Sequence, residues 1–221
     1  MKKNRPLTLA LPKGRLFQKA WALLHRMGYV QTEGWGEERG LVRESADGRV
    51  RIARIRDVDV PTYVEQGAAD LGIVGKDILL EQERVVYEPL DLEFGVCRLV
   101  LAAPPPAGGG DPPTWQDLAR ASHLRVAAKF VRITERFFGE EAVPVDVIKL
   151  SGAVELAPAM GLADAVVDLV ETGATLRENG LVEVREILRT SARLIVNRAS
   201  QKTRREEVGE FIRVCRRKLG S

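Results

Sequence analysis

The feature that most constrains this chain is a repeated unit: an apolar segment, a glycine-containing turn and then a helical pattern. Residues 7–11 are typical of a first strand, and residues 12–15 form the turn after it. Apolar residues then recur at helical spacing as far as Gly28, a typical helix end. The apolar segment 71–74 runs into the turn 75–77 in the same way. Such repeated units predict an α/β protein built on parallel strands.

Two further apolar strands interrupt this repetition and divide the chain. One spans residues 96–102, and the other spans residues 192–197, shortly before a charged helix expected over 202–219. One strand out and one strand back predict two α/β lobes joined by a two-segment hinge. Residues 1–95 with 196–221 then form lobe I, and residues 96–195 form lobe II. The cleft between the lobes is the expected ligand site.

Charge, histidine and cysteine content exclude several classes of function. Lysine and arginine number 34 against 31 acidic residues, and the net charge of +3 requires no nucleic-acid partner. With only His25 and His123, neither a histidine-based nucleophilic triad nor a multi-histidine metal site is expected. Cys97 and Cys215 lack metal or redox spacing, which favours a reducing, cytoplasmic setting. The apolar run at 7–11 is too short for a signal peptide or a membrane span.

Residues 165–176 carry the strongest functional motif. The apolar segment 165–167 leads into an acidic residue and then into a loop of small and hydroxyl-bearing residues before a helix start. Backbone N–H groups and hydroxyls can converge there on a phosphate, and the carboxylates suit ribose hydroxyls or Mg²⁺. The pattern predicts a phosphoribosyl site; an ordinary turn with Thr172 or Thr175 as N-cap is the alternative. The candidate binding residues are Asp168, Glu171, Thr172, Gly173, Ala174, Thr175 and Leu176.

Basic residues follow two other predicted strands. Lys13-Gly14-Arg15 forms the turn where the first helix begins, which suits either a bound anion or a solvated basic turn. Arg56 ends the alternating strand 50–56, at the end where a ligand cleft is expected. Arg51 and Arg54, earlier on this strand, are expected to be solvated edge charges.

Five segments occur in one order between residue 7 and about residue 198. They are Leu-Pro-Lys-Gly-Arg-Leu at 11–16, Asp-Val-Pro-Thr-Tyr-Val at 59–64, Gly-Ala-Ala-Asp-Leu-Gly-Ile at 67–73, Gly-Ala-Val-Glu-Leu-Ala-Pro at 152–158 and Asp-Leu-Val-Glu-Thr-Gly-Ala-Thr-Leu at 168–176. Together they resemble the catalytic chain of the ATP phosphoribosyltransferase family, which performs the first step of histidine biosynthesis. The family usually has serine where this chain has Ala153, so one hydroxyl is missing from the fourth segment.

The resemblance implies a fold and an assembly. The family fold is similar to the type II periplasmic-binding-protein fold, an α/β fold with a cleft between two lobes. The sequence ends soon after its last helix, as in the short form of the family, which acts with a regulatory subunit resembling histidyl-tRNA synthetase. A homodimer within such a hetero-oligomer is expected, in the cytoplasm, without nucleic acid or membrane. Inhibition of the isolated chain by histidine is expected to be weak or absent.

The resemblance also implies a reaction. The family joins N1 of ATP to C1 of 5-phosphoribosyl 1-diphosphate, with Mg²⁺ required, and releases diphosphate. Arg15 and Arg56 are the expected catalytic residues, and with Lys13 they would hold the diphosphate or the ATP phosphates. The loop 171–176 would bind the 5-phosphate.

Asp168 and Glu155 are expected to face ribose or Mg²⁺, with the metal ligands left unassigned. Glu155 fits equally well as a carboxylate that complements the dipole of a helix expected over 154–159. Two other functions are compatible with such a fold: a non-catalytic module that binds small anions, and a phosphoribosyltransferase for another base. A secreted transport protein would need a signal peptide, and a transcriptional regulator would need a DNA-binding helix pair. The sequence shows neither, so it does not favour the non-catalytic function.

Overall fold

The computed structural model describes residues 5–31, 34–35, 40–106, 108 and 110–219. The chain forms two compact units: unit 1 comprises Met1–Gly95 with Ser191–Ser221, and unit 2 comprises Val96–Thr190. The chain therefore returns to unit 1 at Ser191, earlier than the boundary after residue 195 that the sequence predicts. In the described part of the chain, no helix combines the length and the apolar character that crossing a bilayer requires.

Strands and helices alternate through most of the described chain. The strands are β1 Leu7–Pro12, β2 Val42–Glu44, β3 Val50–Ile55, β4 Leu71–Gly75, β5 Tyr87–Asp91, β6 Cys97–Ala103, β7 Arg125–Ala128, β8 Asp146–Lys149, β9 Ala165–Val170, β10 Val182–Thr190 and β11 Ala192–Val196. The helices are α1 Phe17–Arg26, α2 Val60–Glu65, α3 Lys76–Gln82, α4 Trp115–Ala119, α5 Val131–Glu140, α6 Ala174–Glu178, α7 Arg198–Thr203 and α8 Arg205–Leu219. Short 3₁₀ helices cover Asp57–Asp59 and Val154–Leu156.

The sheet of unit 1 has the order β2-β3-β1-β4-β11-β5 among its described strands. β1 lies parallel to both β3 and β4, while β2, β11 and β5 add antiparallel pairings. β11 pairs with β4 from Ala192 opposite Gly75 to Val196 opposite Leu71, which explains why this strand belongs to unit 1. Because β1 and β3 are parallel and adjacent, their carboxyl ends lie at one edge of the sheet.

Unit 2 has its own sheet, in the order β10-β6-β9-β7-β8 among the described strands. β7 lies between β9 and β8 and is parallel to both, whereas β6 is antiparallel to β9 and to β10. The three parallel strands bring the segments that follow them to one edge. By the general rule for parallel α/β sheets, that edge is where ligands bind.

Each unit has a separate hydrophobic core. In unit 1, α1 buries one face, including Trp21 and Leu24, against the sheet and against Trp35. Helix α2 approaches β4 closely at Gly72, where a Cβ would lie 2.8 Å from methyl groups of both Val60 and Val64. In unit 2, buried strand residues pack with Leu176 of α6 and with the segment around Val154.

The C-terminal helix expected over 202–219 is divided into α7 and α8. The division falls at Arg204, whose backbone is not helical, with φ −125° and ψ 35°. Asn197 begins α7 because its side-chain oxygen accepts hydrogen bonds from the N–H groups of Ala199 and Ser200, both at 2.9 Å. This N-cap lies before the predicted start of the helix.

A fully buried carboxylate joins the chain ends to the middle of unit 1. Asp70 precedes β4 and has no exposed surface. It accepts hydrogen bonds from the Thr8 N–H at 2.9 Å, the Ser200 hydroxyl at 2.6 Å, Arg5 Nη2 at 3.0 Å and Arg204 Nη1 at 3.2 Å. A buried carboxylate is tolerated only when such partners replace its water.

Replacing Asp70 by Ala should lower the free energy of unfolding by about 3 kcal/mol or more, because Arg204 loses a buried partner and the Thr8 and Ser200 donors lose their acceptor. Urea denaturation followed by circular dichroism measures the change. Asp111→Ala, at an exposed carboxylate, is the matched control and should leave stability within about 0.5 kcal/mol. Equal stability of the two variants would contradict a structural role for Asp70.

Candidate active site

The loop between β9 and α6 in unit 2 encloses a cavity of about 300 Å³. The chain reverses at Gly173, which has φ +76° and precedes the first residue of α6. This left-handed conformation is readily available only to glycine. The lining is one continuous segment: Asp168, Leu169, Val170, Glu171, Thr172, Gly173, Ala174, Thr175 and Leu176. The loop predicted from the sequence is therefore a concave surface and not an extended linker.

Neither threonine of the loop is the N-cap of α6. That position belongs to Gly173, and no side chain there accepts a capping hydrogen bond. The Thr172 hydroxyl accepts a long hydrogen bond of 3.4 Å from the Ala174 N–H, and within the described residues the Thr175 hydroxyl has no partner. The N-cap is therefore Gly173 and not Thr172 or Thr175. An ordinary turn without a ligand stays the alternative to a phosphoribosyl site.

Arg177 adds a guanidinium to this loop. Its Nη1 donates a hydrogen bond to the Thr172 carbonyl at 3.2 Å. A Cβ at Gly173 would lie 2.8 Å from the same Nη1 and 3.0 Å from Glu183 Oε1. Both atoms end flexible side chains that can shift, so the positive φ is the main requirement for glycine. Arg98 in turn forms two hydrogen bonds with Glu183, at 2.7 and 3.0 Å. An arginine in the last turn of a short helix gives no signal of this contact, because such residues ordinarily complement the helix dipole.

The parallel register places Asp168 close to Lys129. Ala128 of β7 pairs with Val167 of β9, and Lys129 and Asp168 are the next residues on the two strands. Burial raises the pKa of Asp168 above its usual value, and the negative charge of Glu155 raises it further. The Leu169 N–H, 2.8 Å from Asp168 Oδ1, and the Lys129 ammonium act in the opposite direction.

Glu155 lies in the first turn of the 3₁₀ helix Val154–Leu156, where a helix through residue 159 was expected. Ala153 precedes this turn in a left-handed conformation, with φ +49°. A macrodipole grows with aligned peptide units, and three residues of 3₁₀ helix supply little of it. The helix dipole therefore gives little reason for a carboxylate at this position. The effect of the Glu155 charge on the pKa of Asp168 indicates that Glu155 lies near the cavity segment.

The described residues contain no group of three or more His, Cys, Asp or Glu side chains arranged to hold a metal ion. Asp168 and Glu155 nevertheless form an interacting pair of carboxylates. Mg²⁺ in nucleotide-dependent enzymes commonly takes one or two carboxylates and completes its shell with phosphate oxygens and water. The pair fits this mode of binding better than a closed all-protein site.

A basic edge lies at the carboxyl ends of β1 and β3 in unit 1. Pro12 pairs with Ile55, so Lys13 and Arg56 leave the sheet side by side. Both side chains are exposed, and within the described residues neither forms a hydrogen bond or ion pair. Arg15 is also exposed, and its Nη1 donates to the Gly95 carbonyl at 2.8 Å.

The start of α1 adds to the positive potential of this edge. Gly14, at φ +84°, turns the chain between Lys13 and Arg15. The N-terminus of α1 has no side-chain cap, and its first turn contains no acidic residue. Helix N-termini and arginines both favour anions, so the edge suits a phosphate group.

Comparison with known proteins identifies the family. The model of the HisG family, described as ATP phosphoribosyltransferase, matches residues 56–217. The chain belongs to this family. An ATP phosphoribosyltransferase of Syntrophotalea carbinolica is 50% identical over 214 residues, covering 96% of this chain and 95% of the relative. One of Geobacter metallireducens is 49% identical over 207 residues, covering 93% and 95%.

Solved structures agree with this family and with the predicted fold. The Thermotoga maritima ATP phosphoribosyl transferase (HisG:HisZ) complex contains a chain with TM-score 0.78 and 36% identity, with 97% of this chain and 98% of that chain covered. The alkanesulfonate-binding protein SsuA of Xanthomonas axonopodis pv. citri, bound to MOPS, gives TM-score 0.59 at 14% identity and covers 99% and 74%. The second likeness concerns the fold alone. The predicted family and the two-lobed, periplasmic-binding-protein-like α/β class are both confirmed.

Family membership assigns no role to an individual residue. The structure groups the predicted site residues within each unit, three on the basic edge of unit 1 with Gly14 and the others around the cavity segment of unit 2. Their roles stay predictions: Lys13, Gly14, Arg15, Arg56, Glu155, Asp168, Glu171, Thr172, Gly173, Ala174, Thr175 and Leu176.

Replacing Asp168 by Asn should make the protein more stable at neutral pH. Because the folded-state pKa of Asp168 is raised, its contribution to stability is complete at low pH and is lost as the pH rises through that pKa. Asparagine cannot ionise, so the advantage of the variant should grow upward from about pH 4. Urea denaturation of both proteins across pH 4–8 measures the difference.

Asp164→Asn is the matched control with the opposite sign. The hydrogen bonds from Arg125 hold the pKa of Asp164 below its usual value, so this carboxylate stabilises the folded state at neutral pH. That variant should lose stability at pH 7. If Asp168→Asn were destabilising across the whole range, unfavourable burial of the Asp168 charge would be refuted.

Proposed function

We propose that this chain is the catalytic subunit of an ATP phosphoribosyltransferase. It joins N1 of the adenine of ATP to C1 of 5-phosphoribosyl 1-diphosphate, and the products are phosphoribosyl-ATP and diphosphate. The observation that carries the proposal is the cavity of about 300 Å³ formed by one glycine-turned loop in a member of this family. This reaction is the first step of histidine biosynthesis.

The chemistry asks for positioning and charge stabilisation more than for proton transfer. Adenine N1 has its own lone pair and attacks C1 without a strong general base. The barrier lies in the departure of diphosphate from a ribosyl carbon that becomes cationic. Cationic side chains held in place before the reaction lower that barrier, because they stabilise charge as it develops on the leaving group. Arginine and lysine side chains can supply this charge, so a histidine count of two is compatible with the reaction.

The loop of unit 2 would hold the 5-phosphate. Gly173 allows the phosphate to approach the backbone, and the hydroxyls of Thr172 and Thr175 are available as donors. Arg177, which already fixes the Thr172 carbonyl, places positive charge beside the same turn. The exposed Glu171 and the half-buried Asp168 would accept hydrogen bonds from ribose hydroxyls.

The basic edge of unit 1 would hold the diphosphate or the ATP phosphates. Arg56 and Lys13 are exposed without protein partners among the described residues, and Arg15 is steadied by its hydrogen bond to Gly95. Arginine can donate two parallel hydrogen bonds to one phosphate, whereas lysine acts as a point charge. Arg15 and Arg56 are therefore the proposed catalytic pair, with Lys13 assisting binding.

Mg²⁺ is the proposed cofactor, and Asp168 with Glu155 would hold it together with substrate oxygens. When bound, the ion neutralises charge on a diphosphate leaving group. Before binding, burial raises the pKa of Asp168, and the negative charge of Glu155 raises it further. A cation at the carboxyl edge of the sheet would offset this repulsion.

A partner and a setting complete the proposal. The structural relative from Thermotoga maritima is a HisG:HisZ complex, and this chain covers 98% of its matched chain. A regulatory subunit of that kind, resembling histidyl-tRNA synthetase, is the proposed partner of a homodimer of this chain. Cys97 and Cys215 are buried thiols that form no disulfide, which favours a reducing compartment such as the cytoplasm.

The reaction can be tested directly with ATP, 5-phosphoribosyl 1-diphosphate and Mg²⁺. Near-ultraviolet absorbance of phosphoribosyl-ATP should rise with the chain alone and change when the regulatory partner is added. Parallel reactions replace ATP by free nucleobases and should consume no donor. Donor consumption with a nucleobase would indicate a different phosphoribosyltransferase, and binding without any product would indicate an anion-binding module.

Replacing Thr175 by Phe should raise the KM for 5-phosphoribosyl 1-diphosphate by about tenfold or more, because a ring in the cavity removes a hydroxyl donor and fills phosphate space. The KM for ATP and the melting temperature should change little, since the side chain is exposed. Glu178→Phe, at an exposed position of the same helix outside the cavity, is the matched control. Equal KM values for the two variants would remove the loop from the site.

A further inference from the structure

Arg54 is stacked against aromatic rings instead of being a solvated edge charge. Its guanidinium carbon lies 5.3 Å from the centroid of Phe17 and 5.0 Å from the centroid of Trp35. The alternation of β3 explains this position, because Arg54 is two residues beyond the buried Ile52 and shares its face. Arg51, which points to the opposite face, is exposed and paired with Glu44 at 3.2 Å.

The guanidinium of Arg54 lacks an acceptor for its N–H groups. Nε is fully buried without a hydrogen-bond partner, and within the described residues the side chain has no hydrogen bond or ion pair. Aromatic rings interact with the faces of a guanidinium, while its five N–H donors lie in its plane. A buried donor left without an acceptor is costly. Unlike Nε, the two Nη groups are not fully buried, so they are the donors that can reach an acceptor in the guanidinium plane.

The surroundings of Arg54 are cationic. Leu11 of β1 pairs with Arg54 of β3. Lys13 follows Leu11 by two residues, and Arg56 follows Arg54 by two residues, so both lie close to Arg54. The stacked Phe17 is the first residue of α1, immediately after the turn that contains Arg15. A second guanidinium, that of Arg43, lies 5.0 Å from the centroid of the same Trp35 ring.

Two acidic side chains, one on β2 and one just after β3, have other partners. Asp57, which follows Arg56, accepts a hydrogen bond from the Val58 N–H at 3.0 Å. Glu44 is paired with Arg51. Among the described residues, neither of these carboxylates supplies the acceptor that this edge lacks, whereas an anion from outside the chain can supply it.

We propose that Arg54 is a further binding residue of the basic edge, and that its in-plane N–H groups donate to phosphate oxygens of a substrate diphosphate or triphosphate. This inference rests on the proposed function and adds a residue to it. The rings of Phe17 and Trp35 hold the guanidinium in one plane, so the fork is oriented before the ligand arrives. Such preorganisation increases affinity because less side-chain entropy is lost on binding.

The test measures binding of inorganic diphosphate by isothermal titration calorimetry, at low salt and without catalysis. Arg54→Met keeps an unbranched side chain against the rings but removes the charge and the donors. Its dissociation constant should rise by about tenfold or more, as expected for charge-assisted hydrogen bonds. Arg51→Met, on the same strand and the opposite face, carries the same charge change and should bind diphosphate like the unmodified chain.

Arg54→Lys separates charge from geometry. It keeps the charge but lacks the planar fork, so binding should weaken several-fold while the melting temperature stays close to that of the unmodified chain. Unchanged diphosphate affinity in Arg54→Met would overturn the inference; if that variant does not fold, unchanged affinity in Arg54→Lys does so. Equal weakening in Arg51→Met would also overturn it, because the effect would then be one of net charge.

Failure of the proposed function would look different from failure of this inference. Loss of diphosphate binding in Arg54→Met, from a chain that makes no phosphoribosyl-ATP, would support an anion site on Arg54 and refute the reaction. Normal product formation with unaltered diphosphate affinity in Arg54→Met would support the reaction and exclude Arg54 from the site.

Discussion

Unit 1 depends on the burial of one carboxylate. Asp70 takes hydrogen bonds from the first strand and from the segment that begins the C-terminal helices, and so closes a unit assembled from both ends of the chain. β11 directly precedes the segment that contains Ser200. It pairs with β4, although the whole of unit 2 separates the two strands in sequence. The hydrogen bonds of Asp70 also hold β1 in the middle of the sheet. The position of β1 in turn determines the position of the basic turn that follows it.

Parallel register then determines which side chains share an edge. Pairing of Pro12 with Ile55 places Lys13 beside Arg56, and pairing of Ala128 with Val167 places Lys129 beside Asp168. Both units therefore arrange charged groups where parallel strands end, although one edge is basic and the other carries carboxylates. A one-residue slip in either register would turn these groups to the opposite face.

Local patterns predicted much of this molecule, and long-range contacts account for the rest. Strand and turn chemistry was sufficient to identify the loop at 168–176, because its glycine and hydroxyl residues act within a few positions of one another. The stacking of Arg54 on Trp35 and the contact of Arg177 with Thr172 were not predicted, since each depends on packing that periodicity does not encode. The place of residues 192–195 was misassigned for a related reason: strand propensity does not specify which sheet a strand joins.

If the proposed cation binds at Asp168, the raised pKa of this carboxyl couples proton binding to cation binding. Where this carboxyl is partly protonated, a cation that binds the ionised form must displace a proton, and the observed affinity then increases with pH. The heat measured for such binding would include the ionisation enthalpy of whichever buffer takes up that proton. Apparent metal affinities in two buffers at one pH would then agree, while the apparent enthalpies would not.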